Sequence, residues 1–172
     1  SPHHLALTDE ALRGYDPVFK VNPPLRTADD IAALKAGLAD GTIDAIATDH
    51  APHPPEDKER PLDDAPPGML GLETALGVAL AVLDLPLADV VAALSWKPAA
   101  IAGVADRHGT PIHPGNPANL VVFDPGVRWQ VQPARLASRS RNTPYVGMDL
   151  RGRVRHTVLR GEPVVIDGTA QR

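Results

Sequence analysis

Asp49, His53 and Asn22 are the groups of this chain whose types and spacing could do chemistry. Asp49 stands in Ala47-Thr48-Asp49-His50-Ala51-Pro52-His53, behind the apolar Ile43, Ala45 and Ile46. A short apolar run that ends on an acid and then turns at Ala-Pro is how a barrel strand delivers a side chain to a site at its C-terminal end. A carboxylate held at such an edge can take up and return a proton, so Asp49 is the first catalytic candidate. Read alone, it could equally cap a turn beside solvated histidines. Upstream, Phe19-Lys20-Val21-Asn22 is a second apolar run ending in a polar residue, and Pro23 and Pro24 halt it. Proline cannot donate to a sheet ladder, so this strand ends near Asn22. Two consecutive strands then present polar side chains at one edge.

The elements between them fit that picture. Thr27 is placed as an N-cap, Asp29 and Asp30 fall in a first helical turn, Ile31, Leu34 and Leu38 recur at helical spacing, and Gly41 ends the excursion. The result is a strand-helix-strand unit. Residues 1–103 continue the alternation of strand and helix signals that a parallel α/β architecture requires. Their last helices are expected at 73–83, 87–94 and 98–102, with Pro98 at a first helical position. From Pro114 the pattern changes to short β-prone runs at 119–123, 129–131, 153–160 and 163–166, with a hairpin turn at Arg160-Gly161-Glu162-Pro163. The chain therefore divides into residues 1–103 and a β-rich region, 104–172.

Asn22-Pro23-Pro24-Leu25-Arg26, then Asp40-Gly41-Thr42-Ile43-Asp44, then Ala47-Thr48-Asp49-His50-Ala51-Pro52-His53 together resemble dihydroorotase of the bacterial type I kind, in the amidohydrolase superfamily. Pro2-His3-His4-Leu5, Pro67-Gly68-Met69-Leu70-Gly71-Leu72-Glu73-Thr74 and Ser140-Arg141-Asn142-Thr143-Pro144-Tyr145 extend the resemblance, in family order, over the whole chain. It implies an α/β fold: the C-terminal part of a (β/α)8 TIM-type metal-dependent hydrolase barrel in 1–103, and C-terminal strands of a composite β-sandwich in 104–172. A complete barrel needs about 250 residues, and this chain has 172 and begins with Ser1. The expectation is therefore the C-terminal portion of a longer protein, with sandwich edges left unpaired.

The activity so implied is the reversible cyclisation of N-carbamoyl-L-aspartate to L-dihydroorotate in pyrimidine biosynthesis. Opening or closing a cyclic imide-like amide needs an activated hydroxide, an electrophile on the carbonyl and a proton shuttle to the ring nitrogen. Zinc, two ions per complete site by resemblance, would supply the first two. Asp49 would ligate one ion and shuttle the proton. The resemblance also gives His53 to the substrate carboxylate, Asn22 to a substrate hydrogen bond, and Pro67 and Gly68 to a main chain that closes over the ring, where glycine permits close approach. Taken singly, His53, Asn22 and the Pro67-Gly68 pair read as turn chemistry. The remaining metal ligands would lie outside these residues, so the chain alone should bind metal poorly and turn over nothing.

Other histidines carry less. His50 is open between a structural role and one that orients a ligand. His3 and His4, read as strand neighbours, point to opposite faces and cannot easily grip one metal, so they read as structural. His108, His113 and His156 read as solvated, and Trp96 and Trp129 as packing. Arg26 reads as an ion-pairing residue, with a substrate-carboxylate role open because guanidinium matches carboxylate geometry.

Bulk properties exclude several classes. A net charge of −4 with scattered Lys and Arg offers no basic stripe for nucleic acid. No cysteine is present, so there is no disulfide framework. The apolar stretch at 76–83 is too short to span a bilayer, and a cytoplasmic protein is expected. Two alternatives stand beside dihydroorotase: another cyclic amidohydrolase such as hydantoinase or allantoinase, and a non-catalytic dihydroorotase-like subunit that scaffolds aspartate transcarbamoylase. Association with a second copy is also open.

Overall fold

A computed structural model describes residues 1–171. Its first part is helical, with α1 (Pro2–Ala6), α2 (Ala28–Asp40), α3 (Pro55–Lys58), α4 (Ala75–Val82), α5 (Leu87–Leu94) and α6 (Trp96–Ile101). Its second part is an antiparallel sheet of β1 (Leu120–Gln130), β2 (Asp149–Leu159), β3 (Glu162–Ile166) and β4 (Thr169–Ala170), in the order β1-β2-β3-β4.

Local sequence explains the best-defined boundaries. At the start of α2, the Thr27 side chain accepts from the Asp30 N–H, and the Asp30 carboxylate accepts from the Thr27 N–H at 3.0 Å. This reciprocal pair satisfies donors that the first helical turn would leave open. The Thr27 hydroxyl, donating to the Asp30 carboxylate at 2.7 Å, and the Thr27 N–H together hold the Asp30 carboxyl below its ordinary range. Gly41, at φ +84°, closes the helix in a left-handed conformation. Between β2 and β3, Arg160 and Gly161 both take positive φ, as a tight hairpin turn of matching twist requires.

Helix α4 joins the two parts because it is apolar on every side. Ala79 and Leu80 pack with Leu5, Leu38, Ile46, Leu83, Val90 and Ala93, whereas Val78 packs with Val131, Tyr145 and Leu150 from the sheet side. Burying side chains of this size contributes about 1.5–3 kcal/mol each. Gly77 lets β2 approach, since a Cβ there would lie 3.1 Å from Leu150. The Arg151 guanidinium then donates two hydrogen bonds, 2.8 and 3.1 Å, to the Leu80 carbonyl near the end of α4.

Several expected elements differ. The strand expected at 19–22 is replaced by a 3-10 turn, Pro17–Phe19, and the run at 43–48 forms no strand. Among the described residues, parallel pairing survives only as isolated bridges, Thr8 with Arg26 and His50 with Met69. Paired parallel strands gain little without further strands beside them, so these runs stop short of a sheet. The fourth helix begins at Ala75 rather than 73, and α6 begins at Trp96, which moves Pro98 from the first helical position to the third. Its missing N–H is still tolerated there, because first-turn donors have no intrahelical acceptor. His3 and His4 lie on α1, not on a strand. In the sheet, β1 is an edge strand, and its Val121 and Val122 are exposed.

Candidate active site

Asp49 follows the 43–48 run with its backbone at φ +50°. For a residue with a Cβ this left-handed conformation costs of order 1–3 kcal/mol and persists only where its surroundings impose it. Met69 imposes it through two links: the bridge to His50 and a hydrogen bond from the Ala51 N–H to the Met69 carbonyl, 3.0 Å. The Asp49 side chain is 45% exposed, and its Oδ2 lies 3.4 Å from Nε2 of the fully buried His3.

His53, Pro67 and Gly68 are brought together. His53 Nε2 donates to the Pro67 carbonyl at 3.1 Å, and its Nδ1 lies 3.7 Å from the Asp57 carboxylate. The N–H that would greet a substrate carboxylate is therefore held by a backbone oxygen in this state. Gly68 has φ +137°, and a Cβ on it would sit 2.7 Å from both Ala51 Cβ and His53 Nε2. No larger residue fits without displacing the imidazole. Asn22 is exposed, and the contacts nearby are made by its chain neighbours: the Lys20 carbonyl accepts from the Gly68 N–H at 2.8 Å, and His4 Nε2 donates to the Pro23 carbonyl at 2.9 Å.

His50 binds main chain. Its Nδ1 accepts from the Gly71 and Leu72 N–H groups, both at 3.2 Å, which anchors the turn before α4. Arg26 lies 3.6 Å from Asp30, the ion pair that its sequence context suggests. His108 and His113 are exposed, and His156 faces Asp167 at 3.9 Å. Trp129 packs against the Val78–Tyr145 cluster and donates to the Gly152 carbonyl at 3.1 Å. Trp96, by contrast, is 43% exposed, so it is not the packing residue it was read as.

Three residues given no site role by the sequence organise these loops. Asn142 is buried, and its side-chain amide donates to the Ala51 and Gly68 carbonyls at 3.0 and 3.3 Å while accepting from the His53 N–H at 3.2 Å. It ties the loop after Asp49 to the loop that carries Gly68. Lys58 is buried, donates to the Pro17 and Pro66 carbonyls at 3.1 and 2.7 Å, and has its pKa lowered by burial first and then by Lys20. His3 lies 3.4 Å from Asp49, and burial, reinforced by His4, lowers its pKa to about 3. The available signals were an amide inside a recognised motif for Asn142 and a His-His pair for His3. Lys58, among acids and prolines, carried none.

Residues 4–164 match the amidohydrolase family. The chain belongs to that family. Dihydroorotase of Streptomyces coelicolor is 56% identical over 172 residues, covering 98% of this chain and 40% of that protein. Dihydroorotase of Mycobacterium tuberculosis is 48% identical, with the same coverage of each. Among solved structures, L-hydantoinase (dihydropyrimidinase) from Arthrobacter aurescens superposes with a TM-score of 0.89 at 31% identity, covering 100% of this chain and 40% of that one. D-hydantoinase (dihydropyrimidinase) from Thermus sp. gives 0.88 at 28%, covering 98% and 39%. The chain thus spans about 40% of the length of the curated relatives it matches.

The resemblance read from the motifs is borne out, as is the α/β fold class of this part of an amidohydrolase. The family suggests a metal cofactor. Among the described residues, however, no group of three or more His, Cys, Asp or Glu is placed to hold a metal ion. The described side chains of this amidohydrolase chain therefore do not by themselves fit a metal. No helix among the described residues is long and apolar enough to cross a membrane.

Proposed function

We propose that this chain carries the acid/base and substrate-holding side of a dihydroorotase, the hydrolase that interconverts N-carbamoyl-L-aspartate and L-dihydroorotate in pyrimidine biosynthesis. The observation that carries the reading is a half-exposed Asp49, on a left-handed backbone, beside a loop where His53 packs on Gly68. The identity of 56% to a dihydroorotase, against 31% to a hydantoinase, favours this ring over a hydantoin. Zinc is the metal we assign, with Asp49 as one ligand and the others supplied by residues outside these 172; when bound, it would activate water and polarise the carbonyl.

The roles of this chain's residues follow from their chemistry. Asp49 takes the proton of the attacking water and gives it to the leaving ring nitrogen, so one group acts as base and then acid. His53 and Asn22 hold the substrate through its carboxylate and amide, His53 by exchanging the Pro67 carbonyl for the substrate. Main-chain groups at Pro67 and Gly68 close over the ring. Residues 1–103 would form barrel and 104–172 sandwich, in a cytoplasmic protein. Steady-state hydrolysis of L-dihydroorotate by the complete gene product, compared with hydantoin and dihydrouracil, tests the proposal. A preference for hydantoin or dihydrouracil would move the assignment to a hydantoinase. An inert product that binds aspartate transcarbamoylase would move it to a scaffold.

A further inference from the structure

We propose that Asn142 is a positioning residue that sets the gap between His53 and the Gly68 main chain, and with it the affinity for substrate; this rests on the reading of His53 and Gly68 as substrate-holding groups. The segments that carry them, 51–54 and 66–68, belong to no helix or strand. Main-chain polar groups in such segments need side-chain partners once they are shielded from water. One side chain supplies three of them. Asn142 Nδ2 donates to the Ala51 carbonyl at 3.0 Å and to the Gly68 carbonyl at 3.3 Å, and its Oδ1 accepts from the His53 N–H at 3.2 Å. A residue of the β-rich region thus holds both loops of the candidate site.

These partners dictate the residue type. A carbonyl can only accept and an N–H can only donate, so one orientation of the amide satisfies all three groups. Flipped, it would set oxygen against two carbonyls and NH2 against an N–H. An ionised aspartate has the same shape but no hydrogen to give, and leucine would leave three groups unpaired. Asn142 is itself held in place. It is buried, its carbonyl accepts from the Leu70 N–H at 3.0 Å, and Tyr145, three residues on, is fully buried against Val78, Val131 and Leu150. The tolerance at the bracketed gap is small, since a Cβ on Gly68 would lie 2.7 Å from His53 Nε2. A shift of either loop changes the space between imidazole and main chain into which a ring bearing a carboxylate must fit.

The test uses the complete gene product and L-dihydroorotate. Asn142→Asp keeps the shape and removes both donors, whereas Asn142→Ser removes the amide and leaves room for water. Expected for both is a rise in KM of about 5- to 50-fold with kcat changed by less than about 3-fold. Thr27→Ala, a helix-cap change, is the stability control and should lower Tm with KM unchanged. In a His53→Ala background the further effect of Asn142→Asp on KM should shrink to about 2-fold or less, because the amide acts through the imidazole it places. In the wild-type protein, hydrogen exchange of the His53 amide should be slowed about 10-fold or more against an unstructured peptide, whether or not the variants fold. An unprotected His53 amide, an unchanged KM in both Asn142 variants, an equal rise in Thr27→Ala, or a fall in kcat with KM unmoved would overturn the inference. His53→Ala separates the two layers. If it leaves KM unchanged, the substrate-holding reading falls and takes this inference with it; if it raises KM while Asn142→Asp does not, only the inference falls.

Discussion

Two residues at the candidate site sit on backbone that few side chains tolerate, and each makes a distinct expectation. Gly68, at φ +137° and in contact with His53, should not accept a methyl group. Gly68→Ala is expected to cost about 1–3 kcal/mol in urea unfolding and to impair substrate binding by pushing His53 aside. An unchanged unfolding midpoint would contradict that. Asp49→Ala should remove the proton shuttle and lower kcat for dihydroorotate about 10²- to 10⁴-fold, whereas His53→Ala should chiefly raise KM. Steady-state kinetics of the pair would read the difference. Asp49, His53 and Gly68 could be singled out as candidates because each lies in a contiguous motif whose turn chemistry is local. His3 and Asn142 were not, because their contacts cross the chain: Asn142 bonds Ala51, His53 and Gly68, far away in sequence.

At the level of elements, the helix boundaries that depend on local capping were the most legible. Thr27, Asp30 and Gly41 bound α2 as their side-chain chemistry requires. Thr27→Ala should cost about 1 kcal/mol at neutral pH. The Asp30 carboxyl has a folded-state pKa below its ordinary 3.8. Its contribution is therefore present above that ordinary value and is lost as pH falls through the lowered one. The gap between wild type and Thr27→Ala should accordingly narrow on acidification below about pH 4, as read by thermal unfolding across pH. Lys58 clamps loop segments through two carbonyls. Lys58→Met leaves those oxygens without their donor and should destabilise by about 1–3 kcal/mol. Strand expectations fared worse at 19–22 and 43–48, because an apolar run specifies burial but a strand exists only through neighbours that pair with it. In 104–172 those neighbours lie close in sequence, and the hairpin at Arg160-Gly161 appears where its turn residues placed it.

For the whole molecule, α4 is the element that makes the site possible. It packs one side on the helical core and the other on the sheet, while Gly71 and Leu72 just before it are anchored by His50. The loops carrying Asp49 and Gly68 are thereby fixed to a rigid base. Its apolar composition was plain in the sequence, but which neighbours it joins required the fold. With no three-residue metal cluster among the described residues, the 172 residues alone should bind zinc weakly in equilibrium dialysis and hydrolyse no dihydroorotate. The measurement that bears most directly on the central claim is zinc-dependent hydrolysis of L-dihydroorotate by the complete gene product, with and without Asp49→Ala. The expected result is turnover that zinc supports and that Asp49→Ala lowers by about 10²-fold or more. Near-normal turnover in Asp49→Ala, or a zinc-loaded wild-type protein that leaves dihydroorotate intact, would contradict it.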